Sequence, residues 1–297
     1  MKRSVKKFIL QTGLLLAGIV IPFWVLFKLD YLPVITSSSM FDTKMMIAQK
    51  KQMGQIDLLA VGSSMTFYQL NSQLMVNTFH RSYYNLASWG LQMGDIKLLL
   101  GAFIPQYRPH YVIICSSVGD FSRSPNASYH NFADAPLFMR RHMPELFYFK
   151  NFSSIRHIIR TKKDAYPIVF DAWGGAQIKV DPRNDLHIKL PFPTVYTPAA
   201  YRSLDSLAGM LALNNIKLIF IETPIRQSEI DAATKQHYQQ HFARCSDIVT
   251  RHSGTYLNYY NPSVFTDSLF ADNYHLNHKG ATIFSAMVVR GLKGIVR

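Results

Sequence analysis

Apolar and polar positions divide the chain into stretches of different period. From Phe8 to Phe27 the residues are almost continuously apolar, with Lys2, Arg3, Lys6 and Lys7 before them and Lys28 and Asp30 after. Some 20 residues at about 1.5 Å rise each match the roughly 30 Å hydrocarbon layer of a bilayer. A cleaved signal peptide has a shorter apolar core, about 7–15 residues, that ends at small residues. This run ends instead in the bulky Pro22-Phe23-Trp24-Val25-Leu26-Phe27. The pattern predicts an uncleaved signal anchor within residues 1–30, with Trp24 and Tyr31 near the far interface and the basic cluster on the cytoplasmic side. Everything after about residue 33 is then expected outside the cytoplasm, and no other window is long and apolar enough to span.

Residues 31–55 join this anchor to the rest of the chain. From Phe41 to Gln55, Met45, Met46, Ile47 and Met53 interleave with Lys44, Lys50 and Lys51. That pattern fits a helix lying on the membrane surface or one packed on the domain. From residue 56 to 297 the period alternates between strand and helix. Short apolar runs predict strands at about 56–62, 82–87 and 110–116, with helices at about 65–79 and 91–103. From Phe121 to about Thr197 the alternation breaks: this segment holds seven of the 14 prolines and the pair Gly174-Gly175. A structureless loop of that length does not fit a compact domain, so 121–197 is expected to form a cap inserted after the third strand. The alternation resumes with a helix at about 199–213, a strand Ile216–Ile221 running into Glu222-Thr223-Pro224, a helix at about 228–252, a strand at about 255–259 and a final helix after Lys279. The fold class is therefore α/β: three layers, with a central parallel sheet covered on both faces. Ligands in such folds bind outside the carboxyl ends of the strands, where Ser64, Ser88 and Ser117 would emerge.

Two of these strand ends carry chemistry. The first predicted strand ends in Gly62-Ser63-Ser64-Met65-Thr66, a serine-bearing turn. Near the other end of the chain, Asp272-Asn273-Tyr274-His275 sets a carboxylate three residues before an imidazole on a polar loop. A serine hydroxyl becomes a nucleophile when a histidine takes its proton and a carboxylate fixes the histidine tautomer. A Gly-Ser-Ser turn also simply caps helices, and Asp-x-x-His alone is equally unspecific; the weight lies in having both, in this order, at opposite ends of an α/β pattern.

Together these segments resemble the first and last blocks of the SGNH (GDSL-type) hydrolase superfamily. The resemblance implies Ser64 as nucleophile, His275 as general base and Asp272 as its orienter. It also implies an oxyanion hole from the backbone N–H groups of Ser64 and of Gly90, the latter following Tyr83-Tyr84-Asn85-Leu86-Ala87-Ser88-Trp89. The family's third block carries Gly-x-Asn-Asp, whereas this chain reads Ser116-Ser117-Val118-Gly119-Asp120, with Gly119 where the Asn would stand. One oxyanion donor is worth about 10²–10³ in rate, so Ser88 and Ser117 are candidate substitutes; Asp120 is either a supporting residue or a cap of its turn. No metal and no cofactor are expected, since neither Cys115 nor Cys245 has metal-ligand company in the sequence.

Composition narrows the partners. The formal net charge is +14. Nucleic acid does not fit an exported domain that lacks a dense basic stripe with interleaved aromatics. Anionic lipid head groups, acidic polysaccharide or a teichoic-type polymer fit such a field, although exported proteins are often basic for no specific reason. The two cysteines, Cys115 and Cys245, are too few for a disulfide scaffold, and Cys115 reads as a small apolar filler of a strand. His237 and His241 are four apart but lack the Glu of a zinc-protease helix, and read as a solvated helix face. Asn126-Ala127-Ser128 matches a glycosylation acceptor, a tripeptide that also arises by chance.

The anchor and scattered blocks together resemble single-pass SGNH proteins that work beside membrane-bound O-acyltransferases, such as the D-alanyl transfer protein of lipoteichoic acid synthesis and acetylation partners of exopolysaccharide systems. The expected function is transfer of an acetyl- or D-alanyl-class group onto a cell-envelope polymer, with such an O-acyltransferase as partner. A membrane-tethered esterase and a non-catalytic assembly factor are the rival readings. The cap, with Phe138, Met139, Phe147, Tyr148 and Phe149 beside Arg140, Arg141 and Lys150, is expected to form part of the acceptor groove or the docking face for the membrane partner; the alternative is that these aromatics only build the cap's own small core. The anchor is directly testable. A reporter fused after Arg297 should be active only if it works outside the cytoplasm, and an N-terminal sequence beginning near residue 28 or later would show cleavage instead.

Overall fold

The computed structural model describes residues 3–28, 36, 38–143, 170–178, 196–226, 230–260 and 263–296. Five strands form one parallel sheet in the order β2-β1-β3-β4-β5: β1 Leu58–Ala60, β2 Tyr83–Asn85, β3 Tyr111–Ser116, β4 Lys217–Glu222 and β5 Thr255–Asn258. Strands buried on both faces read as continuous apolar runs, which is why β1, β3 and β4 lie where the sequence predicts them. Successive side chains point to opposite faces. Leu58, Ala60, Ile113, Cys115, Ile219 and Ile221 fill one side of the sheet, and Leu59, Val61, Val112, Ile114, Leu218 and Phe220 fill the other.

Helices cover both sides. On the first lie α3 (Ser64–Gln69), α4 (Ser72–Phe79) and α10 (His278–Leu292), contributing Met65, Met75, Phe284 and Val288. On the second lie α2 (Ser39–Lys50), α5 (Met93–Tyr107) and α8 (Pro198–Leu213), contributing Phe41, Met45, Leu99, Phe103, Leu204 and Leu207. The helix α9 (Ala232–Arg251) gives Phe242 to one core and Val249 to the other. The two short helices α6 (Ser128–Ala133) and α7 (Leu137–His142) lie against α5.

Several elements differ from the sequence expectation. The helix predicted at 65–79 is two helices, because the Asn71 side chain accepts the Leu74 N–H and so starts α4 afresh. Of the two readings of 41–55, the structure has α2 packed on the domain: Phe41, Met45 and Ala48 are buried. Arg140, expected to face an acceptor polymer or a membrane partner, is buried and donates to the carbonyls of Ala133 and Ala135. Arg141 reaches the Gln106 carbonyl at 3.0 Å. Tyr31 and the cap residues Phe147, Tyr148, Phe149 and Lys150 lie outside the described residues.

At the N-terminus, α1 spans Arg3–Lys28. Its segment Ser4–Val25, 22 residues, is long and apolar enough to cross a membrane; Phe8, Leu10, Leu14 and Leu15 are exposed along it. That exposure fits a helix whose solvent is lipid rather than water.

The sheet order has a consequence for the site. From β1 the chain adds β2 on one side and then returns to place β3 on the other, so the carboxyl ends of β1 and β3 form the topological switch point where α/β folds bind ligands. The turn after β1 is held closely there. A Cβ on Gly62 would meet Thr66 Oγ1 at 2.0 Å, and that hydroxyl accepts from the Cys115 N–H at 2.9 Å and donates to the Cys115 carbonyl at 2.8 Å. Gly62→Ala therefore has to displace a buried threonine that ties α3 to β3. The expected cost is about 1–3 kcal/mol, read as a lower thermal midpoint; an unchanged midpoint would show that the turn relaxes freely.

Candidate active site

Ser64 is the first residue of α3 and His275 lies on the loop before α10. Ser64 Oγ is 2.8 Å from His275 Nε2, and His275 Nδ1 is 2.6 Å from Asp272 Oδ2. Three side chains expected from sequence to act together are thus in hydrogen-bonding sequence, although Ser64 and His275 are 211 residues apart. With Asp272 ionised, Nδ1 carries the proton and Nε2 is left to accept from the serine. Hydrogen bonds and charge from His275, with the N–H groups of Tyr274 and His275, hold Asp272 below the usual carboxylate range against the opposing effect of burial. The carboxylate accordingly stays ionised wherever the imidazole works.

The loop bearing Asp272 and His275 is closed on itself. Phe270 and Leu276 form an antiparallel bridge, Ala271 donates to the His275 carbonyl at 2.7 Å, and Asn277 donates to the Leu269 carbonyl at 2.9 Å. Asp272 Oδ1 accepts from the Tyr274 and His275 N–H groups, each at 2.8 Å, the local turn that aspartate favours. The Gln69 side chain donates to the Tyr274 carbonyl at 2.9 Å and ties α3 to the loop.

The serine turn is fixed from below. Ser63 is 2% exposed; its hydroxyl caps Met65 N–H at 3.2 Å and donates to Asp120 Oδ2 at 2.9 Å. Ser63 is therefore committed to the interior while Ser64 faces the histidine. Asp120 Oδ2 also accepts from Ser116 Oγ at 3.0 Å and from Ser117 N–H at 3.3 Å. Ser117 and Asp120 form a reciprocal cap over the 3₁₀ turn Val118–Phe121, so Asp120 is at once the cap of its own turn and the anchor of the serine turn. The Ser117 hydroxyl accepts from Gly119 N–H at 3.3 Å. Ser88 is fully buried, with its hydroxyl 3.1 Å from that of Ser38. Both serines, candidates to replace the absent Asn, are thus engaged in holding loops.

Gly90 has φ +66°, the left-handed region that a glycine enters at no steric cost. Its neighbour Trp89 donates its indole N–H to the Tyr68 hydroxyl at 2.7 Å, and Tyr68 meets the His275 ring edge-on at 5.7 Å. The loop expected to supply the second oxyanion donor therefore runs beside the histidine. Tyr68 was not singled out by sequence; its place four residues after Ser64, one helical turn on, is the signal that could have found it.

One pair departs from expectation. His237 is exposed, but His241 is buried at 1% exposure, 2.9 Å from the Tyr201 hydroxyl and 3.3 Å from Glu222 Oε1. Nor is Cys245 without ligand company: the donor atoms of Glu222, His241 and Cys245 lie within 4.8 Å of one another. Among the described residues these three are the group that could hold a metal. The Cys245 sulfur is 3.8 Å from Nδ1 and 3.7 Å from Nε2 of His241. Being equidistant from both nitrogens, it sits beside the ring and off the lone-pair axis of either. As arranged, the trio is a buried polar cluster, and a metal would require the side chains to rotate.

Burial pushes the Asp120 carboxyl up to about 7 against the hydrogen bonds that lower it, and Asp95 up to about 6. An unfolded aspartate titrates near 3.9. Between about pH 4 and 7 the folded protein holds protons that the unfolded chain has released, so stability should fall as pH rises through that window. Asp120→Asn should flatten its part of this slope in denaturant midpoints measured across the window. An unaltered slope would mean that the Asp120 carboxyl is ionised throughout.

No protein-family model matches the chain, and no curated protein matches it. Solved structures with a similar fold do. One is a catalytic mutant of Axe2, an acetylxylan esterase from Geobacillus stearothermophilus, at 12% identity, covering 82% of this chain and 96% of that one with a TM-score of 0.46. LAE5, an α/β hydrolase enzyme from the metagenome of Lake Arreo, matches at 12% identity over 82% and 98% with a TM-score of 0.47. A protein described as lipolytic and of the G-D-S-L family, from Desulfitobacterium hafniense, matches at 11% identity over 80% and 99% with a TM-score of 0.43. At these scores the likeness is one of general architecture, and the reading of the site rests on its own distances.

Proposed function

We propose that this chain is a membrane-anchored serine acyltransferase of SGNH type, acting outside the cytoplasmic membrane on a cell-envelope polymer. The observation that carries the reading is the Ser64–His275–Asp272 sequence, with contacts of 2.8 and 2.6 Å. Ser64 Oγ attacks the carbonyl carbon of an acyl ester while His275 Nε2 takes its proton. The tetrahedral oxyanion is received by the N–H groups of Ser64 and Gly90. His275 then returns the proton to the departing alcohol, which leaves an acyl-Ser64 ester. In the second half an acceptor hydroxyl gives its proton to His275 and attacks the acyl carbon; the Ser64 Oγ–acyl bond breaks as His275 returns that proton to Ser64 Oγ.

The acyl group is of the acetyl or D-alanyl class and the acceptor is an anionic polymer or polysaccharide. The apolar helix α1 and the net charge of +14 support a site held near the membrane and an acceptor of opposite charge. A membrane-bound O-acyltransferase that delivers the acyl group is the partner this reading calls for. Water in place of the acceptor would make the same machinery a tethered carbohydrate esterase. The glycine at 119 favours a non-catalytic assembly factor, but the ordered triad weighs against a site that has lost its chemistry.

Turnover of a p-nitrophenyl ester by the full chain in detergent is the test. Ser64→Ala and His275→Ala should each abolish it, because nucleophile and base act as one unit; losses on the order of 10⁶ accompany such removals elsewhere. Ser63→Ala should lower turnover without abolishing it, because Asp120 then no longer holds the serine turn, and should lose about 1 kcal/mol of stability with its cap. Activity that survives Ser64→Ala, or that disappears only with Ser63→Ala, would refute the assignment.

A further inference from the structure

Lys44 on α2 is fully buried, and the scheme above gives it no part. Its ammonium donates to the Ala87 carbonyl and lies 4.0 Å from the centre of the Phe67 ring and 5.7 Å from that of Phe170. Burying an ammonium is unfavourable, and a methionine would fill the same apolar space without that penalty. Burial holds its pKa well below the ordinary lysine range, and the Asp171 carboxylate acts in the opposite direction.

The groups that Lys44 joins flank the reacting serine. Phe67 lies three residues after Ser64 on α3. Ala87 opens the loop that runs through Ser88 and Trp89 to Gly90, and within that loop Trp89 is bonded to Tyr68 at 2.7 Å. A second link runs between the same two elements, since Ser38, which caps α2, has its hydroxyl 3.1 Å from that of Ser88. On the loop's other side, Ser88 N–H donates to the Gly62 carbonyl at 2.9 Å and Ala87 N–H to Asn85 Oδ1 at 3.0 Å. The carbonyl of Ala87 is thus one of two points at which α2 holds the loop.

We infer that Lys44 is a positioning residue for acyl transfer at Ser64: its ammonium holds the Ala87 carbonyl, and through it the Gly90 donor, against the nucleophile helix. The inference rests on the acyl-transfer reading of the site. It assigns to α2, the first helix after the anchor, the task of setting the oxyanion loop.

The test is steady-state hydrolysis of p-nitrophenyl acetate by the full chain in detergent, alongside thermal melting. Lys44→Met should lower kcat about tenfold or more, since one well-placed oxyanion donor is worth about 10²–10³, with KM and the melting midpoint close to those of the unaltered protein. Lys44→Ala should lose the same kcat and regain part of it when propylamine is added. A wild-type kcat in Lys44→Met would overturn the inference. So would a loss that follows the melting midpoint and that amine does not restore in Lys44→Ala. If the unaltered protein hydrolyses the ester no faster than Ser64→Ala, the acyl-transfer reading itself falls and takes this one with it; an active protein indifferent to Lys44 refutes only the latter.

Discussion

The position of Ser64 depends on a hydrogen bond that Ser64 does not make. The Ser63 hydroxyl, 2.9 Å from buried Asp120, joins the turn after β1 to the turn after β3 across the switch point of the sheet. With Ser63 turned inward, the helical geometry of α3 leaves half-buried Ser64 facing His275, which is held on a loop closed by its own backbone bonds. Thr66 bonded to Cys115 and Gln69 bonded to Tyr274 extend the same logic along α3. These ties fix the short helix to the sheet and to the loop of His275, so Ser64 inherits its rigidity from them.

The constraint is costly in charge. Asp120 is buried 57 residues away in sequence from its Ser63 partner, in an environment that raises its pKa. The fold offsets that by converging two hydroxyls and one N–H on a single carboxylate oxygen. Lys44 shows the same economy in the opposite sign, a buried cation facing one carbonyl and two aromatic rings. Both groups sit directly behind the loops that face His275, which is where perturbed ionisable groups gather in active sites.

Much of this was legible in the sequence and some was not, for identifiable reasons. Strands buried on both faces leave unbroken apolar runs, so β1, β3 and β4 could be read as pattern; β5, only partly buried, was read from its place in the strand–helix alternation. The triad could be read because Asp272 and His275 are local to each other and Ser64 follows the first strand after a short turn. The break between α3 and α4 was missed although Asn71 is a good cap, since the apolar spacing runs on through it. His241 was misread because its partners Glu222 and Tyr201 lie on other elements, and a histidine on a polar helix carries no mark of that. Lys44 was invisible for a related reason: a lysine beside methionines reads as a solvated edge, and only its contact with Ala87 shows otherwise. Gly119, in contrast, was visible as a departure, and the structure shows Ser88 and Ser117 occupied with their own loops.

The central claim is that Ser64, and no other serine, is the nucleophile. Intact-mass analysis after exposure to a fluorophosphonate, followed by peptide mapping, tests it most directly. The account predicts one adduct per chain, on Ser64, absent from the protein carrying His275→Ala. An adduct on Ser63, or an untouched folded protein, would contradict it.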